Sequence, residues 1–254
     1  MLKQGRALGV SLAPSYVCAF DGARPGEVVW AIRRLGFSRV EETSSVLPYL
    51  IREREEQSRK TGRPVISTSC PRVVDLVRRE FPTLAACLFT LPSPMVIHTR
   101  DMRRRSPGVV FVGPCTAKAS EAEAHPGSAD AVLTFEELAE WLCDEGITLG
   151  GGHEVPEEKP DVESPSWIAA SLLAADASGL DSCRRLFEEL SRVSLGSPGS
   201  TPGAAGAFVE ALACEGGCLG GEGMVRTTLV QDRRRKVVEL LGYSDDRGKL
   251  EGYP

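Results

Sequence analysis

No stretch of this 254-residue sequence approaches the roughly 18 consecutive apolar residues that a membrane-spanning helix requires, so no membrane span is expected. The N-terminal Met1–Pro14 has two early basic residues and a short apolar run, without a signal-type apolar region followed by a small-residue cleavage site. It reads as the first strand of a cytoplasmic protein. An excess of positive charge is also missing: the formal net charge is −5, which argues against a dedicated nucleic-acid surface. The sequence has no internal repeat, no Walker-A loop and no Gly-x-Ser-x-Gly elbow. Histidine is scarce, and His98, His125 and His153 lie far apart, so a metal here would be held mostly by sulfur. The two-residue gaps between cysteines typical of zinc sites are absent as well.

What is present is ordinary in bulk and unusual in sulfur. Hydrophobic content of 42% and charged content of 26% suit a globular protein with a real core. Eight cysteines in a chain without a secretory signal point to metal ligands or redox groups before disulfides. Apolar β-branched segments alternate with helical patterns. Strands are expected over Ala7–Ala13, Arg39–Thr43, Pro64–Thr68, Gly108–Val112 and Ala131–Thr134. Helices are expected over Glu27–Leu35, Ser45–Lys60, Arg72–Phe81, Phe135–Glu145, Trp167–Leu190 and Thr227–Leu241. Residues 150–166 and Ser194–Gly206 read as flexible, being rich in Gly, Pro and polar residues. Strands separated by helices imply an α/β fold with parallel sheets.

Three segments bring cysteines to strand ends, where open α/β sheets place their sites. Cys214-Glu215-Gly216-Gly217-Cys218-Leu219-Gly220-Gly221 pairs two thiols among glycines that let backbone N–H groups approach sulfur closely. Composition alone leaves room for a flexible turn with two ordinary cysteines. Pro114-Cys115 precedes a helix start, where the dipole favours a thiolate, with Lys118 and Glu121 following at one-turn spacing. Lys118 can offset the negative charge of a cluster, and Glu121 can orient Lys118 or relay a proton. Thr68-Ser69-Cys70-Pro71 is the third segment, with Pro71 suited to open a helix. Radical chemistry with S-adenosylmethionine would need another cysteine where Gly221 stands.

Together these motifs resemble the catalytic domain of the [FeFe]-hydrogenase large subunit, whose TSCCP, PCxxKxxE and ExMxCxxGCxxGG motifs correspond to Thr68–Pro71, Pro114–Glu121 and Glu210–Gly221. Ala13-Pro14-Ser15, Leu35-Gly36-Phe37, Ser93-Pro94 and Ala131–Leu138 look like further segments of that family, and the resemblance covers about residues 8–225. It implies a single domain over 1–254, made of two α/β lobes closing on a cleft, with no ferredoxin-like domain on this chain. It implies a [4Fe–4S] cubane on Cys70, Cys115, Cys214 and Cys218, with Cys218 bridging to a diiron subcluster that carries CO and CN⁻. Lys118 would hydrogen-bond a cyanide, and Ala13, Pro14 and Ser15 would line the diiron pocket. H₂ and protons would be the substrates, and a ferredoxin-like protein or subunit the electron-transfer partner.

The departures are specific. Ser69 stands where family members carry a proton-shuttling cysteine, and a hydroxyl is far less acidic than a thiol of reference pKa about 8.5. Gly113 and Leu212 replace methionines that pack on the diiron site, and Glu222 interrupts a glycine run. This pattern is similar to divergent sensory hydrogenase-like proteins. The expected function is slow H₂ oxidation or proton reduction, or H₂ or redox sensing. A non-catalytic iron–sulfur protein of electron transfer, cluster assembly or signalling is the alternative, and a structural zinc protein a third reading. Cys18, Cys87, Cys143 and Cys183 are expected in the core, and His98 and Arg100 near the cleft or surface. The basic runs Arg100–Arg105 and Arg233–Lys236 are expected to be solvated faces, or docking faces for an acidic partner.

Overall fold

The computed structural model describes residues 7–150, 156, 158–163, 175–195 and 207–240. Most of the two stretches expected to be flexible, and the beginning of the helix expected from Trp167, lie outside these residues. In chain order the strands are β1 (Gly9–Leu12), β2 (Arg39–Glu42), β3 (Val65–Ile66), β4 (Val109–Gly113), β5 (Ala131–Thr134), β6 (Ala177–Ser178), β7 (Phe208–Val209) and β8 (Ala211–Leu212). The α-helices are α1 (Pro25–Arg34), α2 (Leu47–Thr61), α3 (Pro71–Glu80), α4 (Pro94–Met102), α5 (Ala117–Ala124), α6 (Phe135–Asp144), α7 (Leu180–Leu195) and α8 (Val230–Leu240).

The fold is mixed α/β with parallel sheets flanked by helices. A four-stranded sheet runs in the order β2-β1-β4-β5, and β3-β7 and β6-β8 form two short pairs, all parallel. Strand β1 is buried along its whole length, as expected for a parallel strand covered on both faces. Local chemistry sets the helix ends. Helices α1, α3 and α4 each open on proline and α2 carries Pro48 at its second position, where the missing N–H has no partner to lose in a first turn. Helix α6 opens with a reciprocal capping box between Thr134 and Glu137.

Apolar residues gather into two main cores. One surrounds the four-stranded sheet and takes in Val10, Leu12, Ile32, Val112, Phe135, Leu138 and Leu219. The second joins α3, α7 and the short strand pairs through Val73, Val77, Leu84, Phe187 and Ala211. A smaller cluster holds Leu50, Val65 and Phe89.

Several expectations need correction. Helix α4 is not among the expected elements, because it occupies the stretch next to the basic run. Within the span expected to be helical from Trp167 to Leu190, the described residues hold strand β6 before α7 starts at Leu180. Cys18, Cys87 and Cys183 are buried, but Cys143 is exposed: Phe135, Leu138 and Leu142 define the inward stripe of α6, and position 143 is turned off it. His98 is 1% exposed, held by Ser11 Oγ at 2.8 Å and Glu41 Oε2 at 3.3 Å. The basic runs are solvated in part, with Arg100, Arg104, Arg105, Arg234 and Arg235 exposed, and other members turned to partners within the fold. Arg103 pairs with Asp130, and Arg104 and Arg105 pair with Asp101, while Arg105 also reaches Glu41. Arg233 is buried and donates to the carbonyls of Leu219, Val225 and Thr228, and Lys236 donates to those of Phe20 and Ala23.

Candidate functional site

Each cysteine segment leaves a strand in the direction sequence reasoning gives. Cys70 follows β3 and caps the N-terminus of α3. Cys115 follows β4 and precedes α5. Cys214 follows β8, and Cys218 lies in a short 3-10 turn over Gly217–Gly220. Backbone hydrogen bonds join these segments: Gly223 N–H donates to Pro114 O at 2.9 Å, and Gly217 N–H donates to Cys214 O at 3.0 Å. Gly220 has no room for a side chain, since a Cβ there would stand 1.8 Å from Glu215 O. A Cβ on Gly221 would stand 2.4 Å from Pro114 O. The glycines therefore let the loop that carries Cys214 and Cys218 pack against the turn that carries Cys115, a close approach of protein to protein.

Burial and neighbouring cysteines raise three of the candidate thiols. Burial raises the Cys115 thiol, and Cys70 adds to the rise against the opposing charge of Lys118. Cys214 is raised by burial, then by Cys115 and Cys70. Cys218 is pushed up to about 12 by burial, then by Cys70, Cys115 and Glu210, with Lys118 acting against them. Among the described residues, no three His, Cys, Asp or Glu side chains come close enough to hold a single metal ion. A zinc ion with Zn–S bonds of about 2.3 Å would draw its sulfurs to within about 4 Å of each other. Half-buried thiols whose pKa is raised ionise readily only when a cation supplies the compensating charge.

Lys118 ties two cysteine segments together. It is 8% exposed, and Nζ donates to Ser69 O at 2.9 Å and to Glu121 Oε2 at 2.6 Å. Glu121 Oε2 also accepts from Ser93 Oγ at 3.0 Å. Ser69 Oγ lies 2.9 Å from Ser67 Oγ. Ala13 N–H donates to Val112 O at 2.8 Å, which sets Ala13-Pro14-Ser15 beside the end of β4. Ser15 Oγ is buried with no hydrogen-bond partner, as is Glu210 Oε1. Unpaired buried polar atoms are costly, and the Ser15 hydroxyl suits a group with acceptor atoms bound next to that segment. The residues present therefore fit a sulfur-ligated cluster.

Sequence reasoning missed several partners. Glu222, read there only as an interruption, accepts from Arg72 Nη1 at 3.0 Å and Thr116 Oγ1 at 3.1 Å, so it links the residues that follow Cys70 and Cys115. A Cβ on Gly113 would lie 2.8 Å from the Phe111 ring, which occupies the start of the side-chain position. Ser67 precedes the motif by one residue and had no signal of its own. Glu210 lay within its motif, but nothing in the sequence placed it beside Ser67.

Comparison with known proteins follows this geometry. Residues 6–173 match the family model for the iron only hydrogenase large subunit, C-terminal domain. No curated protein matches the chain by sequence. A solved [FeFe]-hydrogenase concerned with oxygen inactivation through modification and degradation of the H cluster 2Fe subcluster has a TM-score of 0.71 at 18% identity. HydA(deltaEFG), a structure concerned with stepwise H-cluster assembly, has a TM-score of 0.68 at 19% identity. A variant of the [FeFe]-hydrogenase HydA1 from Chlamydomonas reinhardtii has 0.68 at 18%. In all three cases the match covers 97% of this chain and 86% of the other. At these identities the likeness concerns the fold.

Proposed function

Because the chain belongs to the family defined by the C-terminal domain of the iron-only hydrogenase large subunit, we propose that it is a hydrogenase-like iron–sulfur protein with a [4Fe–4S] cluster on Cys70, Cys115, Cys214 and Cys218. The observation that carries this reading is the joining of the three cysteine segments, Gly223 N–H donating to Pro114 O at 2.9 Å and Lys118 Nζ to Ser69 O at 2.9 Å. A diiron subcluster with CO and CN⁻ is the second half of the proposal, and Ala13, Pro14, Ser15 and Lys118 are its proposed lining. Chain 1–254 is taken as one domain of two lobes.

When bound, the paired clusters would supply electron storage and the exchange of H₂ with protons and electrons. The protein's own residues have narrower tasks. Lys118 adds positive charge beside Cys115 and Cys218, which favours their thiolate forms. Glu121 and the Ser69 carbonyl fix the position of that ammonium. The Ser69 hydroxyl stands where a more acidic thiol would move protons faster, so turnover is slow. That argument favours H₂ or redox sensing, or a minor hydrogenase, over fast H₂ evolution. Electrons would pass to a ferredoxin-like protein or subunit.

Anaerobic reconstitution with iron and sulfide, followed by iron and sulfide analysis and EPR, tests the first half. Four irons per chain with a reducible cubane signal, lost when any two of the four cysteines are changed to serine, are expected. Zinc without acid-labile sulfide would refute it. Infrared bands of CO and CN⁻ after exposure to the maturation machinery test the second half. Their absence in a fully matured sample, with the cubane intact, would leave the non-catalytic iron–sulfur reading.

A further inference from the structure

Two cations of the C-terminal basic run turn inward from α8 toward different halves of the candidate site. Arg233 is 5% exposed. Its Nη1 donates to Leu219 O at 2.7 Å, in the 3-10 turn that holds Cys218. Nη2 donates to Val225 O at 2.6 Å and to Thr228 O at 2.8 Å, and Nε donates to Thr228 Oγ1 at 2.7 Å. Three residues on, Lys236 Nζ donates to Ala23 O at 2.6 Å and to Phe20 O at 3.2 Å. Those two carbonyls follow shortly after the 3-10 helix Pro14–Cys18, which carries Ser15. Within that helix Cys18 Sγ donates to Ser15 O at 3.3 Å, so the grip on Phe20 and Ala23 reaches Ser15 through one compact turn.

Packing of the helix does not account for this arrangement, because Val237, 0% exposed, already anchors α8 in the core. Among the described residues, every hydrogen-bond partner of the Arg233 side chain is a neutral oxygen. A buried charge without an opposite charge beside it is costly. What the guanidinium adds is geometry and charge. Its planar fork of donors joins the Cys218 turn to residues 225–228 in one rigid knot. Its positive charge stands at the carbonyl of the residue after Cys218, where four thiolates would bring the negative charge that Arg233 lacks.

We propose that Arg233 and Lys236 are positioning residues of the candidate cluster site: they fix the Cys218 turn and the Ser15 segment to one helix, and so set the bridging thiol against the proposed pocket lining. This rests on the cluster reading above and deepens it. Both residues act through backbone carbonyls rather than by contact with a cluster. Arg233 has a second effect. Reduction adds negative charge to the site, and a fixed positive charge next to Cys218 favours that addition.

The first arm of the test needs no cluster. In the full cluster-free chain, kept anaerobic, alkylation by iodoacetamide is followed cysteine by cysteine with mass spectrometry. Arg233→Met should speed labelling of Cys218 severalfold, and Lys236→Met that of Cys18. Cys87, buried in the second core, should keep its wild-type protection. Lys236→Arg should behave as wild type, as should Arg234→Met, an exposed position on the same helix. The second arm titrates the reconstituted chain against an external reductant. Arg233→Met should lower the affinity for an electron about tenfold, a fall of about 59 mV in midpoint potential. Arg233→Lys keeps the charge but offers three donors to four acceptors, so it should hold the potential while Cys218 labels faster than in wild type. Labelling of Cys218 and Cys18 no faster than wild type would overturn the positioning role. So would a rise shared equally by Cys87 in both Arg233 variants, or a potential unmoved by Arg233→Met. If the chain takes up no cluster, the functional reading falls, while the labelling arm still decides whether α8 holds the Cys218 turn.

Discussion

Changing Lys118 to Met tests whether the Lys118–Glu121 pair is structural support for the candidate site. Both side chains are 9% exposed, and the ammonium contacts both Glu121 and the Ser69 carbonyl. Its removal leaves the Glu121 carboxylate buried with only the Ser93 hydroxyl as donor. Breaking a buried pair from one side costs about 3–5 kcal/mol. The surviving Ser93 hydrogen bond offsets about 1 kcal/mol of this, and the abandoned Ser69 carbonyl adds back about as much. Lys118→Met should therefore lose about 3–5 kcal/mol. The double variant Lys118→Met/Glu121→Leu removes the stranded charge and leaves two unpaired neutral groups, for about 2 kcal/mol. The expected signature is a double variant more stable than the single one. Urea unfolding followed by circular dichroism, on the cluster-free and reconstituted chains, measures both values, with an unchanged denaturant slope as the check on a common unfolded state. A loss below about 1 kcal/mol for Lys118→Met, or a double variant less stable than the single, would refute the reasoning.

Three further outcomes are expected. Burial would raise the Glu41 carboxyl, but hydrogen bonds from His98 and Arg39 and the charge of Arg105 bring it from 4.5 down to about 2. Such a group stabilises above pH about 4.5 and loses its contribution as pH falls toward 2, so Glu41→Gln should be less stable than wild type by about 2–3 kcal/mol at neutral pH, with the gap closing on acidification; a gap independent of pH in urea titrations counts against this. Gly220→Ala places a methyl group where the Glu215 carbonyl stands, so iron and sulfide per chain should drop severalfold while far-ultraviolet circular dichroism is retained; an unaltered cluster content would show that the loop geometry is not needed. Gly113→Met forces the Phe111 ring aside and should cost about 1–3 kcal/mol, a cost reduced when Phe111→Leu is added; additive losses in thermal unfolding would argue that the two positions do not share space.

Much of this architecture is legible from local rules. Strand Ala131–Thr134 and helix α6 are marked by an apolar run that ends in the Thr134–Glu137 capping box, and a proline marks the start of α3 directly after Cys70. The four ligand candidates are drawn from the resemblance of three motifs to those of the family, with the glycine-flanked Cys214 and Cys218 as the strongest local signal. What escapes sequence reasoning depends on distant segments. Helix α4 carries a Ser11–His98–Glu41 network whose members are far apart in sequence, so His98 reads as an ordinary polar residue until β1 and β2 are placed beside it. Arg233 and Lys236 look like part of a solvated basic run, yet both end on backbone carbonyls of other segments. Cys143 fails for a simpler reason: one residue of helical phase separates it from the buried Leu142.

The way the thiols are held has a consequence for folding. In a small zinc domain the metal supplies the folding free energy, so the apo chain is unfolded. Here the cysteine segments are joined by contacts that need no metal. Gly223 N–H bonds to Pro114 O, Glu222 spans Arg72 and Thr116, Lys118 reaches the Ser69 carbonyl, and Arg233 grips the Leu219 carbonyl next to Cys218. Two substantial apolar cores lie behind these contacts. A scaffold built this way keeps the cysteine segments together while their thiols are still protonated, before any cation arrives. The binding energy of the proposed cluster would then go into ionising sulfur, and much less of it into ordering the chain. The cluster-free protein should accordingly unfold cooperatively with a native-like denaturant slope, and chelation should strip iron without collapsing the fold.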